Sequence, residues 1–266
     1  MNLRPFLAYA PPMQLNGKRA LVIGGGGGGI GRATTEAFGN EGATVVVADL
    51  ELARAEEAAD AVRAGGGTAY PVSGDVRSAS DIEAMISTAA EKLGGLDVLV
   101  TVVGGQVAFV PAVKLHEMAD QDWDTIYEVN LRYVARAVRA ALRVFLDQGT
   151  GGTIVSVGSV TGFMAAPEQA AYGVMKAGIL SLARTVAAEY ARDGVRMNVA
   201  AAGAIATAVA NANVDAEVVE EIPVGRFGRS EEVAQAVVYL ASDAASYITG
   251  QQIVLDGGVS VRGPFG

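Results

Sequence analysis

Cysteine is absent from the 266 residues, which excludes disulfides and thiol catalysis. A single histidine, His116, rules out a His-rich metal site, and no carboxylate cluster takes its place, so no metal is expected. Basic residues are the minority, 20 Lys and Arg against 29 Asp and Glu, for a formal charge of −9. A surface that tracks phosphates needs the opposite balance, so nucleic acid is not an expected partner. No apolar stretch approaches the ~20 residues that span a bilayer, and Phe6 to Ala10 is too short for a secretory signal. The expected address is the cytoplasm, without membrane association. Aromatic residues make up only 6%, with Trp123 the sole tryptophan.

Apolar and small residues dominate instead. Hydrophobic residues reach 51% and glycine numbers 34, enough for a substantial core. Seven short apolar runs read as strands: Ala20 to Ile23, Thr44 to Ala48, Ala69 to Val72, Val98 to Val102, Thr153 to Val157, Met197 to Ala201 and Gln252 to Leu255. Between them lie helix-period segments near 30–40, 51–64, 79–93, 120–147, 169–192 and 230–242. Ser78 and Ser230 mark helix starts. Continuous apolar strands alternating with helices imply a parallel sheet covered on both faces, a doubly wound α/β fold. Residues 1–15 read as a flexible extension ahead of one domain, 16–266. The aperiodic segment 203–225 reads as a mobile loop over a ligand.

Six glycines, Gly24 to Gly29, follow the first strand and are succeeded by Ile30-Gly31 at the start of a helix. Glycines there let a pyrophosphate approach backbone amides at the helix N-terminus. Asp49 ends the second strand, where an acid accepts from ribose hydroxyls and repels a 2′-phosphate. Leu50 follows, so no adjacent cation invites that phosphate, and NAD(H) is expected over NADP(H). Arg32 is the residue that would reverse the preference by swinging toward the 2′ position. Tyr172 and Lys176 stand four residues apart in Ala-Ala-Tyr-Gly-Val-Met-Lys, downstream of Ser159. On one helix face an ammonium would lie beside a phenol and favour the phenolate.

In these motifs the chain resembles the short-chain dehydrogenases/reductases over residues 16–258. Gly25, Gly29, Ile30 and Gly31 match that family's cofactor motif, and Asp75-Val76 its adenine contact. Asn130, Ser159, Tyr172 and Lys176 match its catalytic tetrad. Asn198 and Gly203 through Thr207, with Ile205 between, match the strand and loop around the nicotinamide, and Val103 and Gly104 are further expected cofactor contacts. The C-terminal signatures correspond to Gly225 through Gly228, Tyr247 through Gln251, and Asp256 through Gly258. The resemblance implies a Rossmann-type seven-stranded parallel sheet and an oxidoreductase interconverting a secondary alcohol and a ketone. Tyr172 would exchange the proton, Ser159 orient the substrate oxygen, Lys176 lower the tyrosine pKa and hold the ribose, and Asn130 hold a water. It also implies a homotetramer. Tyr133, Ala137, Ala141 and Val144 on one helix, with Val174, Leu182 and Val186 on another, would face symmetry mates. The alternative is that they face the sheet.

Val107, Phe109, Phe163, Met164, Gln169 and Val209 are candidates for the substrate wall. A 3-oxoacyl thioester, an alicyclic alcohol, a steroid-like alcohol and a sugar all fit. Three departures from the family pattern stand out. Gly24 replaces a threonine, Thr101-Val102-Val103 replaces Asn-Asn-Ala, and Ala202 replaces a proline. Losing both the threonine and the first asparagine suggests a coordinated repacking of two loops. It also keeps open an alternative, a non-catalytic NAD-binding protein of this fold.

Overall fold

The computed structural model describes residues 14–207 and 219–262. The sheet is built from β1 (Arg19–Ile23), β2 (Thr44–Asp49), β3 (Thr68–Ser73), β4 (Val98–Thr101), β5 (Gly152–Ser159), β6 (Val195–Ala202) and β9 (Gln252–Leu255). Their order is β3-β2-β1-β4-β5-β6-β9, and every pairing is parallel. Two-residue strands β7 (Ile205–Ala206) and β8 (Gly228–Arg229) pair separately. Pro71 falls within β3, an edge strand, where its missing N–H breaks no inner ladder.

Each inner strand alternates its side chains between two cores. Leu21 and Ile23 meet Met85 of α3 (Ala79–Leu93), Tyr133 of α5 (Tyr133–Gln148) and Ile179 of α6 (Ala170–Tyr190). Ala20 and Val22 go to the other face, with Phe38 of α1 (Ile30–Asn40), Ala58 of α2 (Leu52–Ala64) and Val237 of α7 (Ser230–Ala241). Burial on both faces explains why these strands read as unbroken apolar runs. Strand order reverses between β1 and β4, so their carboxyl ends part to leave a crevice.

Two expectations change. The segment 120–147 is not one regular helix: α4 (Asp120–Tyr127) passes into a π-helical turn, Glu128–Arg132, before α5 begins. The residues expected to meet symmetry mates are instead used inside the chain. Tyr133, Ala137, Ala141 and Val186 are core, Val144 and Leu182 pack against it, and Val174 alone is well exposed. The sheet beneath these helices needs their apolar side chains.

Local caps follow the sequence more closely. Ser78 Oγ accepts from the Asp81 amide at 3.2 Å. Ser230 does not cap α7; it is the first helical residue, and the Glu232 carboxylate reaches back to the Arg229 amide at 2.7 Å.

Candidate active site

A cleft of about 610 Å³ opens at the switch point, between the glycine loop, the end of β2 and the loop after β4. Gly24 and Gly27 through Gly31 form one wall. No side chain caps the start of α1 and its first turn holds no acid, so its amides face the cleft without competition. Gly27 and Gly28 have open space on the side a Cβ would occupy. This bare, anion-seeking cradle fits a dinucleotide pyrophosphate. Gly25 does not line the cleft. It lies beneath the loop, its N–H donating to Ala48 O and its carbonyl accepting from Thr35 Oγ1.

Asp49 sits in the cleft wall, and its Oδ2 accepts from the amides of Gly26 and Gly27, both at 3.1 Å. Leu50 beside it is exposed, and Asp75 and Val76 line the same end. Arg32 is turned aside by Glu36 at 2.5 Å and Glu57 at 3.3 Å. Leu50 leaves no cation next to Asp49 in the chain, but Arg54 and Arg77 both line this end. They are brought there by α2 and by the loop after β3, which sequence adjacency does not reveal. Each already faces an acid: Arg54 lies 2.9 Å from Glu51, and Arg77 lies 2.6 Å from Asp75. The Arg77 guanidinium holds the Asp75 carboxyl below its usual range.

The four residues expected to carry the chemistry converge past the inner end of the cleft. Ser159 ends β5, where its Oγ accepts from the Thr161 amide at 3.2 Å and hydroxyl at 3.0 Å. Tyr172 and Lys176 lie one turn apart on α6, with Lys176 Nζ 5.4 Å from the tyrosine ring centroid. Lys176 is 4% exposed, and its Nζ donates to Val157 O at 3.1 Å. Asn130 occupies the π-turn. There its Nδ2 donates to Gly105 O and Ile126 O, and its Oδ1 accepts from the Gly105 amide at 2.9 Å. A π-turn frees backbone carbonyls and is a common device at functional sites. Gly104 joins tetrad to cleft: a Cβ there would stand 2.6 Å from Asn130 Oδ1 and 3.0 Å from Lys176 Nζ.

Electrostatics differ in one respect from the simple pairing argument. Burial raises the Tyr172 phenol above its ordinary value, and the hydrogen bond with Ser159 pulls it back. Burial also pushes the Lys176 ammonium down to about 8, so the charge that would favour the phenolate is itself held at a desolvation cost.

Other expected site residues divide. Val103, Gly104, Val107 and Thr207 line the cleft, with Val107 exposed. Gly203 does not; its amide donates to Leu255 O, and Ile205 faces a second cavity of about 400 Å³ beside Asp256. Asn198 ties β6 to the Ile248 carbonyl and Gln251 amide. Phe163, Met164 and Gln169 lie on the segment before α6, outside the cleft walls. Val209 and much of the expected mobile loop fall at 208–218, outside the described residues.

Three residues hold this region in ways the sequence did not indicate. Tyr133 donates to Val103 O at 2.7 Å and anchors the loop that lacks the family's asparagines. Thr101 donates to Ser156 Oγ at 2.8 Å beneath it. Gln106, in the cleft wall, is 3% exposed. A lone glutamine among apolar loop residues was the one signal available.

A family model described as Enoyl-(Acyl carrier protein) reductase matches residues 25–260. The chain belongs to the short-chain dehydrogenases/reductases. It is 34% identical over 252 residues to the 3-oxoacyl-[acyl-carrier-protein] reductase FabG of Thermotoga maritima, covering 94% of this chain and 100% of that one. It is 36% identical over 244 residues to cis-4-hydroxycyclohexanecarboxylate dehydrogenase of Sinomonas cyclohexanicum, covering 91% and 96%. Among solved structures, a 7α-hydroxysteroid dehydrogenase complexed with NADH and 7-oxo glycochenodeoxycholic acid superposes with a TM-score of 0.87, at 28% identity over 93% of this chain and 96% of the other. Short-chain dehydrogenases/reductases use nicotinamide cofactors, and the relatives act on alcohols and ketones.

Proposed function

We propose that this protein is an NAD(H)-dependent oxidoreductase interconverting a secondary alcohol and a ketone, of 3-oxoacyl, hydroxy-alicyclic or steroid-like type. The observation that carries the reading is the gathering of the Tyr172 phenol, the Ser159 hydroxyl and the Lys176 ammonium behind Gly104 at the inner end of a glycine-walled cleft. Gly27 through Gly31, Asp49, Asp75 and Val76 would hold the dinucleotide, whose nicotinamide supplies hydride exchange when bound.

The residues divide the remaining work. Ser159 holds the substrate oxygen toward Tyr172. For a ketone, Tyr172 donates its phenolic proton to the carbonyl oxygen as carbon gains hydride. Its raised pKa keeps the phenol protonated at neutral pH, ready for that direction. Alcohol oxidation reverses both transfers and needs the phenolate, which Lys176 favours while it stays charged. Asn130 holds the π-turn against Gly105 and so fixes the wall beside Lys176.

Asp49 favours NAD(H), because a 2′-phosphate there would meet a carboxylate; the NADH complex of the hydroxysteroid enzyme is consistent with this. The four-residue Tyr–Lys spacing supports carbonyl over enoyl reduction. Assembly as a homotetramer in the cytoplasm completes the reading, and light scattering returning a monomer mass would remove the assembly. The function itself is tested by following NADH absorbance over a panel of alcohols and ketones, with Tyr172→Phe alongside. Saturable cofactor binding without Tyr172-dependent turnover would favour the non-catalytic alternative.

A further inference from the structure

Gln106 belongs to none of the motifs above, yet it is the polar side chain whose needs the described structure leaves unmet. It follows Gly104-Gly105 in the loop after β4 and is 3% exposed. Its Nε2 donates to Glu168 O at 2.7 Å and to Pro111 O at 3.4 Å. Two carbonyls around one end of the amide fix which atom is nitrogen, since the opposite orientation would set oxygen against oxygen. Its Oε1 is therefore turned away from both, and it is a buried oxygen to which no group among the described residues donates. Native proteins rarely strand a buried acceptor without a functional reason.

A second observation marks the same place. Glu168 is the one non-glycine residue with positive φ, 64°, among the described residues. It lies between Ser159 and Tyr172, and Gln106 holds its carbonyl. Strain at such a corner persists where surrounding contacts enforce it, and it gathers at ligand clamps. One side chain thus joins the cleft wall to the segment that leads into α6.

We propose that Gln106 is a specificity-determining residue whose Oε1 accepts a hydrogen bond from a second donor on the substrate, a hydroxyl or amide N–H away from the reacting carbon. This rests on the oxidoreductase reading and narrows it to alcohols and ketones that carry such a donor. A purely aliphatic substrate would leave the oxygen buried and bare, so the site discriminates against it. Sites built to bond a substrate hydroxyl reject analogues lacking it far more sharply than apolar pockets reject a missing methylene.

The test uses the 1,2-, 1,3- and 1,4-cyclohexanediols, their monomethyl ethers and cyclohexanol, with kcat/KM read by NADH absorbance. Wild type should favour at least one diol over its ether and over cyclohexanol, by about 10- to 100-fold. Gln106→Leu should erase that ratio, and because it also loses the donor to Glu168 O its cyclohexanol turnover should fall about as far as that of Gln106→Glu. Gln106→Glu keeps an acceptor but loses the donor to Glu168 O, so it should keep the ratio at lower overall activity. NADH titration and thermal melting report whether each variant is folded, and Gln106→Met replaces the leucine variant if that one is not. A wild type with no donor preference, or a leucine variant that lowers every substrate equally, overturns the proposal and leaves the oxidoreductase reading intact. Absence of Tyr172-dependent turnover on any substrate sinks both.

Discussion

Gly24 and Val103 share one space. Gly24 has φ +85°, and a Cβ there would stand 2.7 Å from Val103 Cγ2 and 3.1 Å from the Val103 amide nitrogen. The first position of the glycine loop can therefore be glycine alone once a valine fills the loop after β4. Among the departures in the loop after β4, Val103 is the one that fills the space beside Gly24, while Thr101 donates to Ser156 Oγ. Gly24→Ala should destabilise the fold by about 1–3 kcal/mol through the left-handed backbone and the overlap, and weaken NADH binding. Adding Val103→Ala should recover the steric part and not the backbone part. Urea unfolding of both variants decides it; a double variant no better than the single one would show that the positions are uncoupled.

Tyr133 secures the same loop from below, through Val103 O. Tyr133→Phe keeps the packing and strands a carbonyl, which should cost about 1–3 kcal/mol. Cofactor affinity should fall with it, because the loop walls the cleft. Unchanged NADH binding by fluorescence titration would mean that the loop holds its place without this bond.

Proton transfer is isolated by Tyr172→Phe. Turnover should drop about 10²- to 10⁴-fold while NADH still binds, since one oxygen is removed from a site beyond the cleft walls. Parallel losses in binding and turnover would point to a structural role for the phenol instead.

Lys176 makes a prediction about pH and stability. Burial lowers its pKa in the folded chain to about 8, from the ordinary 10.5 of a lysine. Below pH 8 both folded and unfolded chains hold the proton, so the cost of burying the charge is fully present. Between 8 and 10.5 the unfolded chain binds more protons, and stability rises with pH. The full effect is of the order of 3 kcal/mol at 1.36 per pKa unit. Lys176→Met should therefore be more stable than wild type at pH 7, with the gap closing toward pH 10, and catalytically crippled throughout. A gap independent of pH would falsify the assignment of the cost to the buried charge.

Asp49 governs the dinucleotide choice. Asp49→Ser removes a carboxylate from an end of the cleft that also carries Arg54 and Arg77. The NADPH-to-NADH ratio of kcat/KM should rise about tenfold or more, ~1.4 kcal/mol per decade. A wild type that already prefers NADPH reverses this reading and makes the two arginines the dominant charges.

Much of this protein was legible before its fold was described. Apolar runs of strand length, the glycine-to-helix junction at Gly29-Ile30 and the order Asn130, Ser159, Tyr172, Lys176 are local or sequential patterns, and local patterns report backbone periodicity directly. Whether Tyr133 meets a partner subunit or the sheet stayed open, because an apolar helix face does not say what it packs against. Arg54 was missed because proximity to Asp49 runs through the turn into α2. Phe163, Met164 and Gln169 were named from their position between Ser159 and Tyr172, and position in the chain does not say which way a loop folds back.

The residue order by itself indicated the doubly wound sheet, through the alternation of apolar runs with helical segments, and the family, through the motifs that carry the resemblance. Tertiary packing alone decided that Val103 occupies the room beside Gly24, that a π-turn presents Asn130, and that Gln106 holds Glu168 with its oxygen left over. Those outcomes join segments tens of residues apart. They depend on volume and on hydrogen-bond direction, which no one-dimensional pattern records.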